Sequence, residues 1–451
     1  MAGIAGVSAP GQGEVVEQML QKLAHRGRAG YEIIETKGAT LGLAYSDTDV
    51  TAVEDLKKRG TARDGRGHGR LAEARAAGQQ LTLTRDALGV APLYYGYGAV
   101  EGAMCFASEV KALAAVHSSV HEMPPGVSYD GTSFQPYFDL ENPAAVDDAP
   151  AAQIAGALHE RLDAAVERRV GGDEVGAWLS GGLDSSAVVA LAGPHVRRLH
   201  TFAAGLSGAP DLVFAREVAL FVGSDHHEVS VTLADLLAVL PTVIYHLESF
   251  DALLVRSSIT NYLVAGLASD YVGDVFSGEG GDELFAGYDY LKKMDPALLP
   301  AELVDITGRL HNTALQRVDR CASAHGTVAH VPFADPEVVE FALRIPPEYK
   351  LRRGTEKWIL RRALDGNLPD SVLQRTKSKF WEGAGVGDLL AEYAEHHISD
   401  AEFRQERELP NGWVLGTKEE LLYYRHFREH FGDLTYLEWM GRTKGAPQQI
   451  V

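Results

Sequence analysis

The sequence of 451 residues predicts an α/β protein of two domains, and three observations carry that prediction. From residue 175 onward, short apolar runs suited to strands alternate with amphipathic helical runs, the pattern of a parallel sheet covered by helices. Within that alternation, a strand-like run leads directly into Ser180-Gly181-Gly182, and a helix opens at Asp184-Ser185-Ser186. Upstream, residues 1 to about 140 are rich in Gly and in alternating stretches such as Leu81-Thr82-Leu83-Thr84, which suit a separate strand-rich unit. An acidic Pro/Ala run, from Glu141 to Pro150, has the composition of a linker. The expected division is therefore 1–140, a linker at 141–152, and 153–451.

Composition narrows the function classes. With 42 Lys+Arg against 62 Asp+Glu the formal charge is −20, which argues against a nucleic-acid partner, since phosphate backbones demand a positive footprint. Hydrophobic residues make up 45% and charged residues 23%, an ordinary globular balance. No run approaches the ~18 apolar residues of a spanning helix, so no membrane partner is expected. Met1 to Leu20 has no basic residue ahead of an apolar core and does not read as a secretory signal. Cys105 and Cys321 alone can build neither a disulfide framework nor a Cys-rich metal site, and both lie in apolar surroundings. These features together point to a cytoplasmic setting.

The elements come in order along the chain. Residues 175–179 read as a strand, 185–191 as a helix, 201–206 as a strand, 211–221 as a helix and 272–277 as another buried strand, with mostly helix beyond 300. Lys57, Lys58, Arg59, Arg63, Arg66, Arg70 and Arg75 face only Asp64 and Glu73 in a Gly-containing segment, which reads as a solvated surface loop. His226-His227 and His396-His397 are adjacent pairs. On a strand such neighbours face opposite ways, so they cannot chelate one ion.

The segment Ala177-Trp178-Leu179-Ser180-Gly181-Gly182-Leu183-Asp184-Ser185-Ser186 carries the chemistry. Paired glycines let backbone N–H groups converge on an anion with no Cβ in the way. The helix N-terminus after them adds partial positive charge and free donors. Ser180, Ser185 and Ser186 add hydroxyls, and Asp184 offers a hard oxygen suited to Mg²⁺. The bland alternative is an N-capped helix after a glycine turn. The string is not the Walker loop, which needs Gly-x-x-x-x-Gly-Lys-Ser/Thr.

This string resembles the pyrophosphate loop of ATP-pyrophosphatase enzymes, and the chain downstream of it is similar to the asparagine synthetase B-like family. Leu199-His200-Thr201-Phe202-Ala203-Ala204-Gly205-Leu206 resembles the strand that lies against adenine. Asp225-His226-His227-Glu228-Val229, Tyr245-His246-Leu247-Glu248-Ser249-Phe250-Asp251 and Ser277-Gly278-Glu279-Gly280-Gly281-Asp282-Glu283 come in the family's order. So do Val331-Pro332-Phe333, Arg344-Ile345-Pro346-Pro347-Glu348-Tyr349-Lys350 and Arg375-Thr376-Lys377-Ser378-Lys379-Phe380. The resemblance covers about residue 80 to the end. It implies a reduced Ntn-hydrolase-like (αββα) N-terminal domain, and a Rossmann-like PP-loop synthetase domain with a helical C-terminal part.

It also implies an activity: ATP activates a carboxylate as an acyl-adenylate, and a nitrogen nucleophile displaces AMP. Leu179, Ser180, Gly181, Gly182, Asp184, Ser185, Ser186, Ala204, Ser277 and Gly278 would bind the nucleotide, and Asp184 and Asp282 would hold Mg²⁺. Glu279 would assist deprotonation of the nucleophile; the plain alternative is a salt-bridged acid at a strand end. Asp282 is also suited to cap a helix over 283–288. Lys377 matches the family lysine near the phosphates and the intermediate. It lies between residues 350 and 379, where nine basic residues meet three acids. For Arg361 and Arg362, in the helix around 358–364, a solvated face is expected.

Two departures qualify the resemblance. Family members begin with a glutaminase whose catalytic cysteine comes directly after Met1, whereas this chain reads Met1-Ala2-Gly3-Ile4-Ala5-Gly6-Val7. A methyl group cannot attack an amide. His25-Arg26-Gly27 is kept, while the family's Asn-Gly-Glu and Ser-Asp-Thr-Glu segments are absent. In the acceptor half, the usual Glu-x-Arg before Val-Pro-Phe is Val328-Ala329-His330, and histidine does not replace arginine's bidentate fork. The β-lactam-forming relatives carry tyrosine where this chain has Glu279, which disfavours ring closure. The expectation is an AMP-forming amide ligase acting on a small acid and on ammonia or a small amine, in specialised metabolism and without glutamine hydrolysis. A glutamine-dependent asparagine synthetase with Cys→Ala at position 2 and a non-catalytic paralogue are the rivals; the family allows a homodimer.

Overall fold

The structure is a computed structural model and describes residues 1–67, 69–140, 149–376, 383–434 and 436–444. The N-terminal strands are β1 (Gly3–Val7), β2 (Gly30–Glu35), β3 (Thr40–Tyr45), β4 (Thr61–Gly67), β5 (Arg70–Ala77), β6 (Gln80–Arg85), β7 (Tyr94–Gly96), β8 (Cys105–Ala107), β9 (His121–Glu122), β10 (Val127–Tyr129) and β11 (Phe134–Pro136). They form two antiparallel sheets, ordered β2-β3-β1-β8-β7-β9 and β11-β10-β6-β5-β4. Alternation along β5 and β6 buries one face of each strand. Ala72, Ala74, Leu81 and Leu83 meet Ile4, Leu41, Leu43 and Phe106 of the other sheet in a shared core.

Helices α1 (Gly13–Lys22) and α3 (Val110–Ala115) cover the first sheet, while α2 (Val50–Arg59) inserts Leu56 into the core between the sheets. Basic residues 57–75 are therefore not the loop the sequence suggests, although Lys57, Lys58, Arg59 and Arg75 are solvated as expected. They end α2 and build the β4–β5 hairpin, and Arg70 is buried. Charge density misleads there because, beyond the nearby Asp64, the partners of Arg70 are Asp319 and the Val90 carbonyl, from elsewhere in the fold.

The C-terminal region begins with α4 (Ala151–Glu167); residues 141–148 of the expected linker lie outside the described residues. Strand β12 (Glu174–Trp178) leads through α5 (Leu183–Ala192) to β13 (Arg198–Gly205), and α6 (Pro210–Val222) leads to β14 (Asp225–Ser230). Helices α7 (Leu233–Leu247) and α8 (Ala252–Ser269) precede β15 (Asp274–Phe276). Next come α9 (Gly281–Leu284), α10 (Leu299–Gly308), α11 (Ala314–Ala324) and β16 (Val328–His330). Helix α9 starts after Gly280, so Asp282 lies inside its first turn rather than capping a helix over 283–288.

All five of these strands are parallel, in the order β14-β13-β12-β15-β16. Chain progress runs from β12 outward in opposite directions across the sheet, which makes the β12–β15 boundary a topological switch point. Residues such as Val175, Ala177, Phe202 and Phe276 are buried because helices cover both faces. A further apolar core joins α1 and α3 to α7 and α8, through Met19, Leu20, Leu113, Leu240 and Ile244. Among the described residues, no single helix is long and apolar enough to cross a membrane.

Candidate active site

At the switch point, the loop after β12 and the loop after β15 converge on one cavity of about 810 Å³. Their approach is close: a Cβ on Gly278 would lie 2.5 Å from the Ser185 nitrogen, and one on Gly281 would lie 2.5 Å from the Asp184 carboxyl carbon. Gly181 has φ +69°, the left-handed conformation that favours glycine, and it turns the chain beneath Phe214. The Ser180 and Ser185 hydroxyls lie 3.0 Å apart, and Ser185 Oγ donates to the Gly182 carbonyl at 3.2 Å.

Eight of the ten residues expected at the nucleotide line the cavity: Leu179, Ser180, Gly182, Asp184, Ser185, Ala204, Ser277 and Gly278. Gly181 shapes the loop without lining the cavity, and Ser186 is fully buried behind it, so its hydroxyl is not among the lining donors. Glu279 and Asp282 also line the cavity. Lys377 lies outside the described residues. Trp178, Ala203, Ala204 and Leu212 supply an apolar slot on the β13 side.

The cation at the centre belongs to no motif legible in the sequence. Lys357 Nζ lies 2.5 Å from Asp184 Oδ2 and 2.5 Å from Asp282 Oδ1, bridging the two loops. One ammonium thus occupies a position that both carboxylates reach. Mg²⁺ commonly takes one or two carboxylates and completes its shell with phosphate and water, and this donor pair fits that demand. Among the described residues, no group of three or more His, Cys, Asp or Glu is arranged to hold a metal. His226 meets Thr201 and Glu228 while His227 meets His200, so the two rings do face apart.

Beyond the loops, the cavity turns toward Glu279, Glu283, Tyr288, Tyr290, Arg309 and Arg317. Arg317 Nη2 lies 2.5 Å from Glu279 Oε1, so Glu279 is salt-bridged, the plain alternative, yet it still lines the cavity. Burial and the Asp282 charge push the Glu283 carboxyl up to about 7, although it accepts a hydrogen bond from the Tyr288 hydroxyl. His330 turns away and pairs with Asp274 at 2.8 Å; the guanidinium beside Glu279 is instead Arg317.

The basic stretch divides. Arg361 is not solvated: it hydrogen-bonds Glu356 and the Leu373 and Arg375 carbonyls and lines the cavity, whereas Arg362 is exposed as expected. Arg375 lines it too, held by Asp211 at 2.5 Å and lying 4.1 Å over the Phe214 ring. Burial pushes the Cys105 thiol up to about 11 and the Cys321 thiol up to about 12, so both are inert thiols, as their apolar settings suggest.

A glycine-turned loop and a charge-lined cavity at the switch point of a parallel sheet, beside a unit of two antiparallel sheets, place the chain in a class of two-part α/β proteins with a site at the carboxyl ends of the strands. A family model described as asparagine synthase matches residues 157–302 and 296–442, and one described as a glutamine amidotransferase domain matches residues 33–115. The chain belongs to the asparagine synthase family.

Among its relatives, asparagine synthetase [glutamine-hydrolyzing] 2 of Arabidopsis thaliana is 35% identical over 381 residues, covering 77% of this chain and 64% of the plant protein. A probable asparagine synthetase [glutamine-hydrolyzing] of Schizosaccharomyces pombe is 34% identical over 414 residues, covering 82% of this chain and 74% of the yeast protein. The chain thus spans less than two thirds of the length of the plant relative. The NMN synthetase structure from Francisella tularensis superposes with a TM-score of 0.30 at 12% identity, covering 64% of this chain and 99% of that one.

Proposed function

We propose that this protein is an ATP- and Mg²⁺-dependent, AMP-forming amide ligase that joins a small carboxylic acid to ammonia or a small amine without hydrolysing glutamine. The observation that carries the reading is the Asp184–Lys357–Asp282 bridge at the mouth of the phosphate loop, with Glu279 on the same cavity wall. The acid's carboxylate oxygen bonds to the α-phosphorus as the bond to pyrophosphate breaks, giving an acyl-adenylate. Nitrogen then bonds to the acyl carbon, a proton passes to the Glu279 carboxylate, and AMP leaves.

Ser180, Gly182 and Ser185 receive the departing phosphates, and Lys357, Arg361 and Arg375 are the cations of the described lining beside them. Asp184 and Asp282 would hold Mg²⁺, which when bound would offset charge on the pyrophosphate. Lys377 would contact the phosphates from its own segment. The nitrogen donor is free ammonia or amine because position 2 is Ala2, buried, with its carbonyl held by Arg26 Nε at 3.0 Å. Residues 1–140 form the remnant domain and 153–451 the ligase; the setting is cytoplasmic, with small-molecule partners only.

The test is pyrophosphate release from ATP with a panel of acids headed by L-aspartate, with ammonium or glutamine as donor. Release with ammonium, absent in Asp184→Ala, supports the ligase. No release with any acid overturns it in favour of a non-catalytic paralogue. The relatives' names favour a second reading, an asparagine synthetase disarmed at position 2. Ala2→Cys separates the two: glutamine-dependent amide formation in that variant establishes the second.

A further inference from the structure

We propose that the N-terminal region has a catalytic purpose of its own: it positions Glu279, through a buried charge cluster that clamps α11 and the Arg317–Glu279 pair that α11 carries. The inference rests on the ligase reading above and adds a role for the part of the chain that reading leaves as a remnant.

The chain of contacts runs through one helix. Arg317 on α11 reaches the cavity, placing Nη2 2.5 Å from Glu279 Oε1 and Nη1 2.7 Å from Ser257 Oγ. Ser257 is itself tied to the Leu253 and Leu254 carbonyls of α8, so the guanidinium has a fixed seat. Among the described residues, Arg317 is the one ion-pair partner of Glu279. Burial alone would make the guanidinium easier to deprotonate, and the Glu279 charge more than offsets this.

Two residues on, and on the other side of the helix at 3.6 residues per turn, Asp319 enters the N-terminal cluster. It accepts two hydrogen bonds from Arg26, at 2.8 and 3.1 Å, and one from Arg70 at 2.7 Å. Arg320 is next, pairing with Asp319 at 2.9 Å and Glu248 at 3.0 Å. Asp64, Glu109 and Lys111 complete the cluster: Arg26 donates to Asp64 and Glu109 at 2.8 Å, and Lys111 meets Glu248 at 3.0 Å.

All eight of these side chains are buried. The N-terminal region contributes Arg26, Asp64, Arg70, Glu109 and Lys111, an excess of one positive charge; Glu248, Asp319 and Arg320 bring an excess of one negative charge. Neither side is balanced until the two meet, so the cluster fixes the rotation and height of α11 against the N-terminal sheets. A bidentate guanidinium fork defines direction as well as distance. Arg317 lies half a turn from that anchor, and Glu279 is where its charge ends. Arg317 is thus a positioning residue, and Glu279 is the group that meets substrate.

The experiment compares amide formation with ammonia against hydroxamate formation with hydroxylamine, using ATP and L-aspartate or another panel acid that releases pyrophosphate with the full chain. The hydroxylamine adduct sheds its proton more readily, so it depends less on a well-placed base. Arg317→Gln should lower the ammonia rate about 100-fold and the hydroxylamine rate about 10-fold or less, with Arg317→Lys recovering most of the difference. Asp319→Asn should move the ratio the same way by about threefold to tenfold; where it does not fold, Arg26→Lys, which keeps the charge and loses the fork, takes its place.

Asp335→Asn, breaking the Arg169 pair away from α11, should lower stability and leave the ratio unchanged. An unmoved ratio in Arg317→Gln, with a raised KM for the acid, makes Arg317 a substrate ligand and overturns the proposal. An unmoved ratio in both Asp319→Asn and Arg26→Lys confines the positioning to Arg317 and overturns the role of the N-terminal region. A wild-type chain inactive with every acid instead refutes the ligase reading itself.

Discussion

Two charge assemblies lie on either side of α11, and they are built on opposite rules. The interface cluster of Arg26, Asp64, Arg70, Glu109, Lys111, Glu248, Asp319 and Arg320 is closed to water and holds four positive and four negative side chains. The cavity assembly centred on Asp184, Asp282, Glu279, Lys357 and Arg317 opens to the pocket, whose described lining also carries Asp211, Glu283 and Asp289 with Arg309, Arg361, Arg375 and Lys444. A sealed cluster has to neutralise itself, because an uncompensated buried charge costs several kcal/mol. An open one shares its charges with the solvent or ligand that fills the pocket, so it need not close on itself.

The largest effects should separate the two assemblies cleanly. Asp184→Asn should lower pyrophosphate release by about 10³-fold, equivalent to about 4 kcal/mol of barrier, while leaving the thermal midpoint nearly unchanged. Arg26→Met should do the reverse: it strands Asp319, Asp64 and Glu109 without their shared partner and should cost about 3–5 kcal/mol of stability in a denaturant titration. Equal stability losses in the two variants would erase the distinction.

A smaller effect sharpens it. Lys357 bridges the two cavity acids and occupies the position between them, so Mg²⁺ alone should raise the wild-type midpoint little. Lys357→Met should open the position, and Mg²⁺ at ten times its Kd should then stabilise by about 1.4 kcal/mol in a thermal shift. A wild type that shifts as much as the variant would place the cation elsewhere.

The same contrast explains what the sequence disclosed. The alternation after residue 175 is legible because parallel strands covered on both faces must be apolar throughout, and Val175, Ala177, Phe202 and Phe276 are. The glycine loop after β12 is legible because its residues are local: Ser180, Gly182, Asp184 and Ser185 sit within six residues and line one cavity. Lys357 was hidden among nine basic residues because its partner Asp184 is 173 positions away. Arg317, Asp319 and Arg70 were hidden for the same reason: a buried charge is recognised by what it meets, and its partners come from distant strands and helices. Arg70 even read as surface, since Asp319 and the Val90 carbonyl, which it meets in the interior, lie far from the basic segment in sequence.

The smallest effect reads the two regions by the sign of their pH dependence. Burial would push Glu122 at the interface up, but the charges of His311 and Arg85 more than offset this and bring it down to about 2. A carboxyl held below its unfolded value stabilises the fold above pH 4.5 and loses that contribution as pH falls toward 2. Glu283 in the cavity is held the other way, up to about 7, by burial and the Asp282 charge. Folding therefore takes up a proton there, and its contribution is full below about pH 4.5 and falls as pH rises to 7. Denaturant midpoints between pH 3 and 8 should peak near pH 5. Glu283→Gln should flatten the limb above the peak, and Glu122→Gln the limb below it. Limbs that flatten together would mean that the two regions titrate as one assembly, and the separation by α11 would fail.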